Sequence, residues 1–215
     1  MNLVLTIARR LHHLLNTCRK ADFLAPLAFR LYLAPIFISV GLHKATHFDD
    51  IVQWFQYGLE LPLPHLMAFL ATAAELGGGF ALVFGIATRW VAIPLMATMV
   101  VAASTAHWDK GWFAVAPSDP ETSIASVLAP IGFPGAEASL ANSEEVALRL
   151  ERARDLLREH GHYDWLTETG NFVVLNNGIE FAFTYFILLL SLFFTGGGRY
   201  VSLDFWFARR LGLTN

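Results

Sequence analysis

Residues Leu24–Leu42 read LAPLAFRLYLAPIFISVGL, nineteen positions with a single charge, Arg30. A helix of that length rises about 28 Å at ~1.5 Å per residue, close to the ~30 Å hydrocarbon core of a bilayer. The run is apolar on every side rather than along one stripe, so it does not read as the surface helix of a water-soluble protein. In lipid the backbone must satisfy its own hydrogen bonds, which makes a helix the expected spanning form.

Three further stretches repeat this pattern: Leu66–Ala87, Trp90–Ala106 and Gly178–Thr195. The expectation is an all-α membrane protein: a single domain over residues 1–215 built as a four-helix transmembrane bundle, with spans near 24–42, 66–87, 90–106 and 178–195. Composition agrees. Of the 215 residues 55% are apolar and 15% charged, against about 25% charged in soluble domains. The net charge of −3 argues against a nucleic-acid partner, since such proteins carry a basic excess. The lone cysteine, Cys18, can form neither an intrachain disulfide nor a CxxC redox pair and reads as a small buried or interfacial residue.

Charge sets the expected orientation. Arg9, Arg10, Arg19 and Lys20 precede the first stretch, Arg89 sits between the second and third, and Arg199, Arg209 and Arg210 follow the fourth. The segment 107–177 carries five basic and eleven acidic residues. Positive residues stay on the cytoplasmic side, so both termini are placed on that side and the long 107–177 loop outside. Leu3, Ile7, Leu11, Leu14 and Leu15 recur at helical spacing, interrupted by Arg9 and Arg10. That segment reads as an amphipathic helix on the inner surface rather than a signal peptide, and Tyr200–Arg210 reads the same way. Trp54, Tyr57, Trp108 and Trp112 fit an outer aromatic belt. Within the loop, Asn142 and Glu145 form a candidate capping box for one amphipathic helix, with Val146, Leu150, Ala153 and Leu157 on one face and Gly161 ending it.

Charges inside a membrane are costly, at least about 2.5–3.5 kcal/mol each near the bilayer centre, and mark pairs or functional sites. Arg30, Glu75 and Glu180 qualify. Counting turns from the span ends places Arg30 and Glu75 at similar depth, so a structural Arg30–Glu75 ion pair is expected. Near the outer ends of the spans lie His43, Lys44, His107 and Glu180, with His65 and His47 close by. His43, Lys44, Glu75, His107 and Glu180 are therefore the candidate polar site, suited to proton handling or a polar ligand. His43 and His47, four apart, are weak metal candidates, and no metal motif is completed around them. Gly77, Gly78 and Gly79 after Glu75 permit close helix approach. Pro35 and Pro94 are positioned to kink their spans.

In order and spacing these features resemble the DoxX family of small bacterial membrane proteins. The matching residues are Arg30, the Gly41-Leu-His-Lys44 end of the first span, Glu75-Leu-Gly-Gly, the turn Gly85-Ile-Ala-Thr-Arg89, His107, Glu180 and the run Gly196–Asp204. The resemblance implies a four-helix inner-membrane bundle related to the small subunit of thiosulfate:quinone oxidoreductase, and to partners in membrane redox or stress-response complexes. The roughly 70-residue loop departs from the short connection usual in the family and points to a protein partner on the outer face. Quinone or quinol is the implied ligand, and electrons would come from a partner, since the chain has no flavin, haem or iron–sulfur motif. Two other readings stand beside this one. One is a non-catalytic anchor or assembly component for a periplasmic partner in metal or oxidative-stress handling. The other is a small transporter, for which a homo-oligomer would enlarge a four-span path.

Overall fold

A computed structural model describes residues 2–213; the side chains of residues 1–4 and 8, Leu3 of the N-terminal stripe among them, lie outside that description. Among the described residues the secondary structure is helical, apart from one isolated antiparallel bridge between Val115 and Leu175. The chain divides into two compact units, one of Met1–Ala102 with Phe183–Asn215, the other Ala103–Ala182.

The first unit begins with α1 (Asn2–Cys18) and α2 (Leu24–Thr46). A short α3 (Phe48–Gln53) runs into a π-helical turn at Trp54–Gly58. Next come α4 (Pro64–Phe84), with Pro64 at a helix start where its missing N–H costs nothing, and α5 (Thr88–Val101). α5 continues as a π turn through His107 and a 3₁₀ turn to Lys110. Among the described residues three helices are long and apolar enough to cross a membrane: α2, α4 and the continuous segment Thr88–Lys110. α2 and α5 run through Pro35 and Pro94 without breaking.

The fourth expected span is shorter than the sequence implied. α9 covers Glu180–Thr195, 16 residues, or about 24 Å. The cause is local. The amides of Gly178 and Ile179 donate to the carbonyls of Phe113 and Gly111 at 3.0 Å each, so those residues belong to a turn-like connection rather than to the helix.

α2 and α4 touch through their backbones. A Cβ at Gly41 would lie 2.6 Å from the Leu76 nitrogen, and one at Gly79 would lie 2.9 Å from the Ile38 nitrogen. Such contact needs glycine and is the close approach expected of small residues in lipid. The core of this unit gathers Leu33, Ala34, Phe37, Leu82, Ala92, Leu95, Met99, Leu189 and Leu192. Many large apolar residues of the same helices, such as Leu31, Phe69, Phe80 and Val100, are exposed, as a lipid-facing surface requires. On α1, Ile7, Leu11, Leu14 and Leu15 are all at least half exposed. The helix α10 (Leu203–Arg210) closes the unit, with Ser202 accepting from the Phe205 amide as its N-cap.

The second unit contains α6 (Ala125–Leu128), α7 (Ala136–His160) and α8 (Tyr163–Leu166). α7 ends at Gly161 as the sequence predicts, but the Asn142 capping box does not form. The helix begins seven residues earlier, after Gly135 at φ +79°. Asn142 and Glu145 are thus interior positions, and Glu145 pairs with Arg149 one turn on, at 2.5 Å. Of the predicted stripe, Val146 and Leu150 are buried, while Ala153 is exposed. The two ends of the unit are stitched together. Residues 111–116 exchange backbone hydrogen bonds with residues 174–180, and the Asn176 amide donates to the carbonyls of Lys110 and Phe113.

Candidate functional site

The last turns of α2 carry Lys44, and the middle of α4 carries Glu75. Because Gly41 lets α2 close to contact distance with Leu76, a lysine one turn after Gly41 reaches the carboxylate next to Leu76. Lys44 Nζ donates to Glu75 Oε1 at 2.6 Å. Glu75 is 2% exposed and the Lys44 side chain 14%. A charged pair so placed is tolerated because each member compensates the other; either alone would be a strong liability. The second oxygen, Glu75 Oε2, is buried and has no hydrogen-bond partner among the described residues. The pair therefore presents a carboxylate with one oxygen committed to Lys44 and the other free to accept a proton or a hydroxyl.

This corrects the expected Arg30–Glu75 pair. Among the described residues no ion pair joins them. Arg30, only 1% exposed, spends its fork on carbonyl oxygens: Leu82 at 2.7 Å, Val83 at 2.8 Å, Gly197 at 2.6 Å and Val201 at 3.2 Å. Two of these belong to the last turn of α4, whose carbonyls have no partner within the helix. Lys44 lies fourteen residues after Arg30 on α2, about 21 Å along the axis. Lys44 thus meets the middle of α4 at Glu75, while Arg30 serves its last turn.

Arg30 organises a second polar layer that the sequence reading left unassembled. Gly85 follows α4 at φ +64°, and a Cβ there would sit 2.7 Å from Arg30 Cζ. Asp204 accepts from the amides of Ala87 at 2.6 Å and Thr88 at 2.8 Å, capping the start of α5, where a negative charge is favoured. The Asp204 amide in turn donates to the Gly85 carbonyl at 2.9 Å. So Arg30, the Gly85–Arg89 turn and the Gly196–Asp204 run form one latch. Nearby, Arg199 grips Asp22 with two 2.7 Å hydrogen bonds. Those bonds, and then the Asp22 charge, hold the exposed Arg199 guanidinium above its ordinary pKa. A Ser202-Leu-Asp204 cap after a glycine run was the available signal for this layer; Gly197 and Val201 as acceptors carried none.

The remaining candidates have their own partners. His43 and His47 are exposed, with ring centroids 4.6 Å apart, and His47 Nδ1 lies 3.2 Å from the His43 carbonyl. His65 is exposed in the first turn of α4. In the second unit, His107 Nδ1 lies 2.7 Å from the Asn177 carbonyl oxygen. A carbonyl only accepts, so Nδ1 bears the proton, and in the neutral ring Nε2 is left as the acceptor. Glu180 Oε2 accepts from the Ala114 amide at 2.9 Å. Thus Lys44 and Glu75 meet within the first unit, while His107 and Glu180 are each engaged inside the second. Among the described residues no group of three His, Cys, Asp or Glu side chains could hold a metal ion.

Membrane-spanning helices packed through glycine, with an ion pair buried between two of them, define a polytopic α-helical membrane protein. Residues 25–108 match the DoxX family model. The matched stretch includes Arg30, Lys44, Glu75 and His107. No curated protein and no solved structure matches the chain.

Proposed function

We propose that this protein is a redox-associated subunit of the bacterial inner membrane, whose Lys44–Glu75 site meets the head of a quinone or quinol. The observation that carries the reading is the buried, unpartnered Glu75 Oε2 beside a lysine–carboxylate bond of 2.6 Å. Such an oxygen can accept the hydroxyl hydrogen of a quinol, and the Lys44 ammonium can donate to a quinone carbonyl. Reduction of a quinone consumes two electrons and two protons. The electrons come from a protein partner, and the ion pair offers a place for a proton.

In this proposal α9 is the fourth span, both termini are cytoplasmic, and residues 107–177 face outward. The distribution of Arg and Lys supports that orientation. A helix of about 24 Å is shorter than the usual ~30 Å core and would be met by local thinning of the bilayer. The test is binding of a ubiquinone or menaquinone analogue to the purified protein in lipid nanodiscs. Wild type should bind, and Glu75→Gln and Lys44→Met should bind at least tenfold more weakly. Equal binding by all three would remove the site from consideration.

A second reading is favoured by one observation: residues 103–182 form a compact unit with its own buried residues, including Ala125, Val146 and Leu150. On that reading the chain is a membrane anchor or assembly component, and this unit is the working surface for a periplasmic partner. Deleting residues 118–168 separates the two. The quinone reading keeps analogue binding; the anchor reading loses function with the spans intact.

A further inference from the structure

Residues 122–136 read TSIASVLAPIGFPGA, fifteen positions without a charge, inside a segment that is otherwise rich in acids. Their arrangement is inside out. The large apolar side chains are exposed: Ile124 62%, Val127 67%, Ile131 74% and Phe133 56%. The buried positions are small: Ser123 at 6%, Ala125 at 2% and Ala136 at 5%. Ile124, Val127 and Ile131 stand three and four apart across α6 and the 3₁₀ turn that follows it (Ala129–Ile131), so they share one face. A segment folded for water would reverse this distribution, and contiguous exposed apolar side chains mark an interaction surface.

What covers this face is indicated within the same unit. Ile124, Leu128 and Phe133 line a cavity of about 790 Å³ together with Trp108, Trp112 and Phe113. Trp108 lies in the last turn of the membrane-crossing segment Thr88–Lys110, and Trp108 and Trp112 are themselves 66% and 47% exposed. The apolar face is thus continuous with the end of a lipid-exposed helix, where tryptophans occupy the membrane interface.

We propose that residues 124–133 form an interfacial anchor that lies in the headgroup boundary of the bilayer, with Ile124, Val127, Ile131 and Phe133 inserted into the acyl edge. The occupant of the face is lipid. Its lack of charge suits a lipid surface whatever its headgroup, and insertion by apolar side chains is the general mode of such segments. The anchor would hold this unit against the membrane instead of letting it extend into the aqueous phase.

The experiment uses the full chain with Cys18→Ser, reconstituted in phosphatidylcholine vesicles and nitroxide-labelled at Ile131→Cys, Val127→Cys or, as a solvated control on α7, Glu151→Cys. Collision rates are measured with oxygen, which partitions into lipid, and with a neutral nickel chelate, which does not. Labels at 127 and 131 should show an oxygen-to-nickel ratio at least fivefold above that at 151. A ratio at 131 equal to that at 151 would place the segment in water and overturn the proposal. Low collision rates with both agents at 127 and 131 would show the face covered by protein, a partner or a second copy, and would overturn it equally.

Discussion

Lys44→Met removes the ammonium that sits 2.6 Å from Glu75 Oε1 and leaves a carboxylate that is 2% exposed with neither oxygen paired. Breaking a buried ion pair from one side costs about 3–5 kcal/mol, whereas replacing both members by apolar groups of similar volume is near neutral. Glu75→Leu should be milder, about 1–3 kcal/mol, the cost of an unsatisfied buried donor. Lys44 is 14% exposed and can bend its flexible stem toward water. The double variant Lys44→Met/Glu75→Leu should unfold close to wild type, so the two changes should couple by about 3 kcal/mol or more, at the upper end of measured pair energies. Reversible unfolding in mixed micelles, titrated with sodium dodecyl sulfate and followed by far-ultraviolet circular dichroism, gives all three differences. Single-variant costs that add to within about 0.5 kcal/mol would mean the two groups act independently. A Lys44→Met cost below about 1 kcal/mol, the worth of an exposed pair, would mean the carboxylate is not sealed from water.

Arg30→Lys keeps the charge but loses the planar fork; carbonyls of Val83 or Gly197 would go unsatisfied at about 1–3 kcal/mol each, and the same titration should show the loss. Gly41→Ala drives a methyl to 2.6 Å from the Leu76 nitrogen and should cost about 1–3 kcal/mol as an overpacked contact. Gly77→Ala meets nothing within 4 Å and should instead stabilise α4 by about 0.5–1 kcal/mol; a similar loss at both positions would contradict the α2–α4 contact. Asp204→Ala removes the cap on Ala87 and Thr88 and should cost about 0.5–2 kcal/mol, with faster hydrogen exchange confined to the first turn of α5.

The spans were legible because lipid imposes one requirement, an apolar run long enough to cross, and α2, α4 and Thr88–Lys110 meet it within a few residues of the expected ends. The glycines after Glu75 were legible for a similar reason, since only backbone contact makes such a run useful between helices. The start of α9 was not. Gly178 and Ile179 read as span residues by composition, yet their amides are claimed by carbonyls near residue 112, some 65 positions away in sequence, and a local window contains no trace of that. The start of α7 was hidden differently: Gly135, an ordinary loop residue by type, adopts positive φ and begins the helix ahead of a polar pair that only resembled a cap.

The pairing of charges marks the sharpest limit. Depth counted from span ends is a single coordinate with an error of a turn or more, and it assigned Arg30 to Glu75. Two chemical facts outweighed it. Arg30 lies near the end of α4, where carbonyls without helical partners are within reach, and a guanidinium can serve several at once. Lys44 was expected in the same polar site as Glu75 but not as its ion-pair partner, and Gly41 draws α2 so close to α4 that its ammonium reaches inward to Glu75. A glycine one turn before a lysine, facing a carboxylate on a glycine-rich helix, is therefore the feature that joins the packing of this bundle to the chemistry proposed for it. The contrast between Gly41→Ala and Gly77→Ala tests that link directly, because only the first should weaken analogue binding at Glu75 as well as stability.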